Sequence, residues 1–168
     1  MLRLVLIAFL TMWLSAIAGA QVSKDPAFNS YRVRIEKVRA KSINFRNNAG
    51  ARSFRTRLSE ALADGVNFAG HYVIAGWGCG TGCISGAIID AHTGVVYWPL
   101  PLNALGVWYD GDKYADDPVA YRKNSRLLVI SGSPGVKDDE PEKPNGKYYY
   151  EWLRNQLRLV KFVPFKSQ

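Results

Sequence analysis

The stretch that decides the fold runs from His71 to Trp98 and reads HYVIAGWGCGTGCISGAIIDAHTGVVYW. Three runs within it, residues 71–77, 84–89 and 95–98, are rich in the aromatic and β-branched residues that favour strands. A glycine-rich segment separates the first two runs, and an Asp-Ala-His-Thr-Gly cluster typical of a turn separates the last two. Because these connections are short, the stretch predicts a β-hairpin followed by a third antiparallel strand.

The C-terminal half continues this pattern of strands and tight turns. Residues 126–131 form another apolar run, which is typical of a buried strand. Residues 148–152 and 157–163 lie on either side of a short polar turn at 154–156. Two strand-like runs separated by so few residues predict a closing hairpin.

One helix is predicted upstream, over about residues 53–64. Leu58 and its apolar neighbours recur at helical spacing, Ser53 is a candidate N-cap, and Gly65 stands where a left-handed C-cap residue belongs. Further upstream, apolar and charged residues alternate over 31–36, which predicts a strand with one solvated face. The whole pattern predicts a β-dominated α+β fold, in which one amphipathic helix packs on an antiparallel β-meander sheet.

The composition limits the class of protein. The chain has 168 residues, of which 48% are hydrophobic and 12% aromatic, and it carries a formal net charge of +8. A disordered chain would hold fewer aromatic residues, and a miniprotein packed around disulfides would hold more than two cysteines. This length and composition predict one globular domain.

Residues 1–20 have the three parts of a secretory signal peptide. A positive charge at Arg3 precedes a short apolar run, and an Ala-x-Ala sequence ends at Ala20. The apolar run is short for a bilayer span, which needs ~20 residues. We therefore expect cleavage after Ala20, a globular domain over 21–168 with no stable membrane span, and a location in the periplasm or outside the cell. An uncleaved N-terminal anchor is the alternative.

The glycine-rich segment carries the two cysteines of the chain. Glycine occupies every second position over 76–82, and three residues separate Cys79 from Cys83. In an oxidising compartment such a pair is expected to form a disulfide, and the glycines permit a tight bridge across the tip of a hairpin. Three alternatives stay open: a redox-active pair, a cysteine nucleophile assisted by His71, and a zinc site completed by His71 and His92.

The same region resembles a known group of sequences. Its features are Asn-Phe-Ala-Gly-His-Tyr over 67–72, Trp-Gly-Cys-Gly-x-x-Cys over 77–83, and an Asp-x-x-Thr-Gly turn that ends at Gly94. These features are similar to segments shared by uncharacterised small secreted bacterial proteins. The resemblance covers roughly residues 53–98. It implies a family but no activity, so no residue takes a catalytic role from it.

The residues around the cysteines form a candidate functional loop. Within it, a histidine on a strand is more often a hydrogen-bonded structural residue than a catalytic base, because the sequence supplies no partner for it. His92 stands in a turn cluster and is expected to be exposed. No metal site and no cofactor is predicted. The candidate loop residues are His71, Trp77, Gly78, Gly80, Thr81 and Gly82.

Positive charge concentrates in the first third of the mature chain. Residues 21–64 carry ten Lys and Arg against four Asp and Glu, whereas residues 65–168 carry eleven against ten. If the predicted strand and helix pack side by side, they form a positive patch that attracts an anionic envelope component or an acidic protein. A solvated basic surface is the alternative, and nucleic acid is not an expected partner outside the cytoplasm. The candidate anion-binding residues are Arg32, Arg34, Arg39, Arg55 and Arg57.

Together these features predict an exported bacterial protein that acts without catalysis, as a binding or inhibitor-type module in the envelope or outside the cell. The alternative is a periplasmic enzyme, either a thiol oxidoreductase or a hydrolase. Such an enzyme would be centred on the loop of Cys79 and Cys83 together with His71.

Overall fold

A computed structural model describes residues 24–38, 42–46, 48–107, 109–110, 113–114 and 117–165. The signal peptide predicted at 1–20 and the candidate anion-binding residue Arg39 lie outside these ranges. No helix among the described residues is long and apolar enough to cross a bilayer.

Strands make up most of the regular structure. The two α-helices among the described residues are α1 (Ala49–Ser53) and α2 (Arg55–Asp64), and short 3-10 turns lie at Phe28–Tyr31 and Leu100–Leu102. The strands are β1 (Tyr72–Gly80), β2 (Cys83–Asp90), β3 (Val96–Tyr97), β4 (Leu105–Val107), β5 (Tyr109–Asp110), β6 (Lys113–Tyr114), β7 (Val119–Tyr121), β8 (Leu127–Ser133), β9 (Gly146–Leu153) and β10 (Gln156–Pro164).

Eight of these strands form one antiparallel sheet. Its main path runs β1-β2-β4-β8-β9-β10, so the strands of the path lie in chain order, although β3 and β5 to β7 are not part of it. β3 adds to β2 and β7 adds to β8, while β5 and β6 pair separately as a small hairpin. The predicted β-dominated α+β fold with an antiparallel meander is confirmed, and between β4 and β8 the chain leaves the main path.

Both predicted hairpins form, and each turn has the backbone angles that a tight connection needs. At the tip of β1–β2, Gly80 and Gly82 have φ angles of 145° and 67°, which favour glycine. Between β9 and β10, Arg154 and Asn155 have φ angles of 51° and 61°. Two successive positive φ angles are the mark of a type I′ turn, whose twist matches that of the flanking strands.

The predicted helix ends where expected but begins differently. Gly65 closes α2 with φ 94° and donates its backbone N–H to the carbonyl of Leu62, 3.2 Å away. Ser53 is not the N-cap of α2, because it is the last residue of α1. Asn48 caps α1 instead, and its side-chain oxygen accepts the N–H of Ala51 at 3.1 Å. A short helix, which starts at an asparagine cap, therefore precedes α2.

The strand predicted over 31–36 is also wrong. Arg32 makes one isolated antiparallel bridge with Ser125, and the rest of the segment is extended chain. Its backbone bonds go to loops: Val33 N–H donates to the carbonyl of Asn124, 3.0 Å away. Tyr31 and Val33 are half-buried, but Ile35 is exposed, and among the described residues no neighbouring strand lies beside the segment to continue a ladder.

The sheet is covered on both faces, and alternate residues of β1 divide between two cores. Val73, Ala75 and Trp77 pack with Leu58 and Leu62 of α2 on one face. The opposite face of the sheet, including Ile74, encloses the larger core, whose buried members include Phe68, Ile88, Leu102, Leu105, Leu128, Ile130, Tyr148, Tyr150 and Trp152.

β1 and β10 are the edge strands at the two ends of the main path, and their outer edges differ in structure. Along β1, the side chain of Asn67 bonds both backbone groups of Ile74: its Nδ2 donates to the carbonyl at 3.0 Å and its Oδ1 accepts the N–H at 2.7 Å. In β10 a β-bulge leaves Val160 without a pairing partner in β9, between Leu159 and Lys161. Leu159 and Val160 are exposed large apolar side chains.

Burial of tyrosines in and around the larger core predicts alkaline unfolding. Burial raises the pKa of these phenols above the ordinary value of 10.0, and the hydroxyl of Tyr150 has no hydrogen-bond partner among the described residues. The unfolded chain therefore loses these protons first as the pH rises, so the free energy of unfolding falls above about pH 10. The tyrosines with raised pKa are Tyr72, Tyr97, Tyr121, Tyr148 and Tyr150.

Urea denaturation between pH 8 and 11 measures this effect. Tyr150→Phe removes one titrating group and a hydroxyl without a partner, so we expect unchanged or higher stability at pH 8 and a shallower loss above pH 10. A pH profile identical to that of the original protein would contradict the assignment of the loss to buried tyrosine.

Candidate functional site

The predicted disulfide at the tip of the β1–β2 hairpin is present. Cys79 and Cys83 are joined, with their Cα atoms 5.1 Å apart. The chain contains two cysteines and both are in this bond. Neither sulfur is therefore free to bind zinc or to act as a nucleophile, which corrects those two alternatives. Ser85 donates its hydroxyl to the sulfur of Cys79 at 3.3 Å and accepts the N–H of Ala104 at 3.0 Å, so the bridge is tied to the chain that enters β4.

A cleft of about 710 Å³ opens on the larger-core side of this hairpin. We call it the glycine cleft, because Gly76 and Gly86 face each other across β1 and β2 in its floor and Gly78 pairs beside them with Ile84. Residues 117–122, which include β7, form a wall. The cleft exists because the paired positions 76 and 86 carry glycine, where a strand facing a core would usually carry large apolar side chains.

Two glycines of the floor are not required by the backbone. Gly76 and Gly78 have negative φ angles, which any residue adopts. A Cβ at Gly76 would have Ser85 O as its nearest described neighbour, 3.9 Å away, and one at Gly78 would meet no described atom within 4 Å. Gly86 differs, because its Cβ would lie 2.9 Å from the carbonyl oxygen of Ala75. Glycine weakens a strand, and in a strand it often marks close approach of a ligand or another backbone.

The remaining walls of the cleft combine apolar side chains with polar and charged groups. Ile74, Ile84 and Tyr121 contribute apolar surface, and Asp117 and Arg122 are exposed. The guanidinium of Arg122 lies 4.5 Å from the centre of a phenyl ring, that of Phe28, which also lines the cleft. This contact holds a positive charge beside an aromatic wall.

Trp77 of the predicted functional loop lies on the other face of β1. Its ring stacks on Phe54 with centroids 4.5 Å apart and meets Trp98 edge-on at 6.0 Å. With 9% of its surface exposed, Trp77 serves mainly to pack the helices against the sheet. Thr81, Gly78 and Gly80 are exposed near the tip, and Gly82 is half-buried.

His71 lies in a second, separate cluster. Its Nδ1 is 2.9 Å from Oε1 of Glu36, and Nε2 of His92 is 2.7 Å from Oε2 of the same carboxylate. The two imidazole rings are 4.7 Å apart between centroids. His71 lines a cavity with Glu36 and Arg34, whereas the glycines line the glycine cleft. The enzyme hypothesis in which His71 serves the cysteine loop therefore receives no support from this geometry.

Backbone hydrogen bonds position all three side chains of this cluster. Glu36 N–H donates to the carbonyl of Gly70 at 3.0 Å, and Ala91 N–H donates to the carbonyl of His71 at 3.1 Å. The N–H of His92 donates to Oδ1 of Asp90 at 2.8 Å. Hydrogen bonds from His92 and His71 hold the pKa of Glu36 below its ordinary value. No sequence pattern indicated this partner, because Glu36 is 35 residues from one histidine and 56 from the other.

Two of the candidate anion-binding arginines line cavities, and the two cavities are different. Arg34 borders the cavity of Glu36 and His71, with Arg126 and Arg154. Arg55 borders another, and its guanidinium lies 4.6 Å from the ring centre of Phe45. That second cavity also includes Arg46 and Arg52, whereas Arg32 and Arg57 are exposed elsewhere on the chain. Anion binding by these residues stays a prediction.

Comparisons of the chain with protein-family models, with curated proteins and with solved structures found no match. The functional argument therefore rests on the geometry of this protein. The resemblance over residues 53–98 to small secreted bacterial proteins stays a prediction.

Proposed function

We propose that this chain is an exported, non-catalytic binding module that takes up its ligand in the glycine cleft. The observation that carries this proposal is the presence of glycine at 76 and 78, where neither backbone angles nor packing requires it. A residue with a side chain would stabilise the strand there and would fill the cleft. Glycine at these positions keeps a flat stretch of backbone open to a ligand.

The closed disulfide supports a binding role at this hairpin. A bridge of so few residues adds less chain-entropy stabilisation than the ~3 kcal/mol of a ~15-residue loop, so its main effect is to hold the shape of the tip. The tip borders the cleft through Gly78, and Ser85 links the bridge to the cleft floor. A rigid rim lowers the entropy lost when a ligand binds.

Export is part of the proposal, and the disulfide supports it. A disulfide persists in oxidising compartments such as the periplasm or the cell exterior. Without Arg3 of the predicted signal peptide the chain has 21 Lys and Arg against 14 Asp and Glu, a formal charge of +7, and Arg122 lies at the rim of the cleft, so the partner we propose is an anionic envelope component or an acidic protein.

Replacing Gly78 by leucine tests the proposal. The added Cβ would meet no described atom within 4 Å, so we expect the leucine side chain to extend into the cleft and the free energy of unfolding to change by less than about 1 kcal/mol. Binding to an isolated envelope fraction, measured by co-sedimentation, is expected to fall about tenfold, the equivalent of ~1.4 kcal/mol.

The matched control is Thr81→Leu, which adds the same side chain at the exposed tip of the same hairpin, outside the cleft lining. This variant should bind as the original protein does. Binding should also weaken as salt is raised, because the Debye length shrinks from ~10 Å at 0.1 M to ~3 Å at 1 M. Equal binding by Gly78→Leu and the original protein, or no retention of the original protein by any envelope fraction, would refute the proposal.

A further inference from the structure

The chain contains two histidines, and they meet on one carboxylate. His71 and His92 lie in different turns, yet one nitrogen of each and an oxygen of Glu36 all lie within 4.8 Å of one another. Exposed ion pairs contribute little to the free energy of unfolding. Stability alone therefore gives little reason for two imidazole rings to be ordered around one surface carboxylate. The convergence of these three side chains therefore points to a ligand that binds all of them.

The donor types define the class of ligand. Two imidazole nitrogens with one carboxylate oxygen suit borderline divalent transition metals such as Zn²⁺ and Cu²⁺. Mg²⁺ and Ca²⁺ prefer sites built from oxygen, and this cluster offers one carboxylate. The chemistry thus favours a transition metal over the common hard cations.

The spacing of the donors fits such an ion. A metal held ~2.0–2.1 Å from each donor separates adjacent donors by about 2.9 Å in square-planar or octahedral geometry and about 3.4 Å in a tetrahedron. Nδ1 of His71 lies 2.9 Å from Oε1 of Glu36, and Nε2 of His92 lies 2.7 Å from Oε2 of the same carboxylate. One donor atom of each residue lies within 4.8 Å of the other two, so small side-chain rotations bring the three donors to the spacing that an ion requires.

The cluster is accessible and anchored. The side chains of His71, Glu36 and His92 are 24%, 44% and 45% exposed, so an ion can enter without unfolding the chain. Backbone bonds to Gly70 and Asp90 hold the segments that carry the donors. Because a carboxylate accepts hydrogen bonds, both facing nitrogens donate in the metal-free state. On metal binding each ring moves its proton to its other nitrogen, which frees the facing lone pair.

We propose that Nδ1 of His71, Nε2 of His92 and the carboxylate of Glu36 bind one Zn²⁺ or Cu²⁺ ion. Three protein ligands leave at least one coordination position for water or for a group of a partner. The bound ion links the extended segment 33–38 to the start of β1 and to the turn after β2. It therefore stabilises the folded chain, independently of the glycine cleft.

Isothermal titration calorimetry with ZnCl₂ and CuCl₂ tests the site. The sample is the chain without its predicted signal peptide and without an affinity tag, and MgCl₂ serves as the negative control. We expect one ion per chain. Affinity should fall about tenfold in Glu36→Gln and on the order of a hundredfold in His92→Gln. Glu60→Gln, which changes an exposed carboxylate on α2, should bind as the original protein does.

Two further readouts separate metal binding from a purely structural role. Zinc at about 100 times its Kd should raise the Tm by about 5–10 °C, and His92→Gln should lose that shift while keeping its metal-free Tm within a few degrees. Electron paramagnetic resonance of the Cu²⁺ complex should show coupling to two imidazole nitrogens. Absence of saturable binding of both ions, or binding that survives in both Glu36→Gln and His92→Gln, would overturn the site. Gly78→Leu should bind the ion normally, so failure at the glycine cleft and failure here are distinguishable.

Discussion

Replacing Phe68 by alanine is expected to lower the free energy of unfolding by about 3–5 kcal/mol. Phe68 has no exposed surface, and its ring meets Tyr121 of β7 edge-on with centroids 6.2 Å apart and Trp152 of β9 at 6.4 Å. Phe68 lies in the loop before β1, and its side chain packs in the larger core. There it contacts β7 and β9, which are distant from it in the sequence. Since a domain of this size is stable by about 5–15 kcal/mol, the loss removes a large share of the total.

Urea denaturation followed by tryptophan fluorescence and far-ultraviolet circular dichroism gives this difference. Leu159→Ala is the matched control, because that side chain is 54% exposed and its truncation should cost less than about 1 kcal/mol. A loss below 1 kcal/mol for Phe68→Ala would show that the strands around the ring hold together without it.

Gly70→Ala is expected to lower the free energy of unfolding by about 2–4 kcal/mol and to weaken zinc binding at least about tenfold. Gly70 has φ 89°, and a Cβ there would lie 2.6 Å from the backbone carbonyl oxygen of Arg34. The carbonyl of Gly70 accepts the N–H of Glu36. Relieving the clash must push the segment of Arg34 away, and the proposed metal-binding carboxylate moves with it.

Gly65→Ala separates these two effects. Gly65 also has a positive φ, 94°, but a Cβ there would have no atom of a described residue within 4 Å. The variant should lose about 1–3 kcal/mol through backbone strain and keep its affinity for zinc. Paired denaturation and calorimetry measure both quantities, and an equal loss of zinc affinity in the two variants would contradict the steric link between Gly70 and Glu36.

Much of the fold follows from local patterns, and the Asn-Phe-Ala-Gly-His-Tyr segment shows why. Asn67 satisfies the outer edge of β1, Phe68 enters the core, and Ala69 and Gly70 turn the chain with φ angles of 43° and 89°. His71 then reaches Glu36. Each of these residue types favours the local structure in which it lies. The hairpin, its turns and the strand order were therefore predictable from spacing and composition.

The errors in the sequence prediction came from choices that depend on distant parts of the chain. Residues 31–36 have the alternation of a strand, but their backbone groups meet loops at Asn124 and Gly70. Asn48 and Ser53 are both good cap residues, but Asn48 caps α1, and its side-chain amide donates to the carbonyl of Val96 at 2.9 Å. Local propensity cannot choose between such alternatives.

Of the candidate sites, too, those formed by residues close in sequence were predictable, and those formed by distant residues were not. The disulfide was predictable, because both cysteines stand in one short glycine-rich turn. The glycine cleft was not, since its wall at 117–122 comes from β7, which returns to the sheet beside β8. The meeting of His71, His92 and Glu36 requires the extended segment to lie across Gly70, and no spacing rule connects residues so far apart.

The β-bulge at Val160 also affects strand pairing between two copies of this protein. A straight outer strand with apolar side chains would accept a strand from a neighbouring molecule and seed a growing ladder. The bulge at Val160 increases the local twist and moves successive amide groups out of alignment, so a second molecule finds few groups to bond. Lys161, which pairs with Asp25 at 2.8 Å, adds charge beside the bulge. We therefore expect β10 to resist strand pairing between copies of the protein.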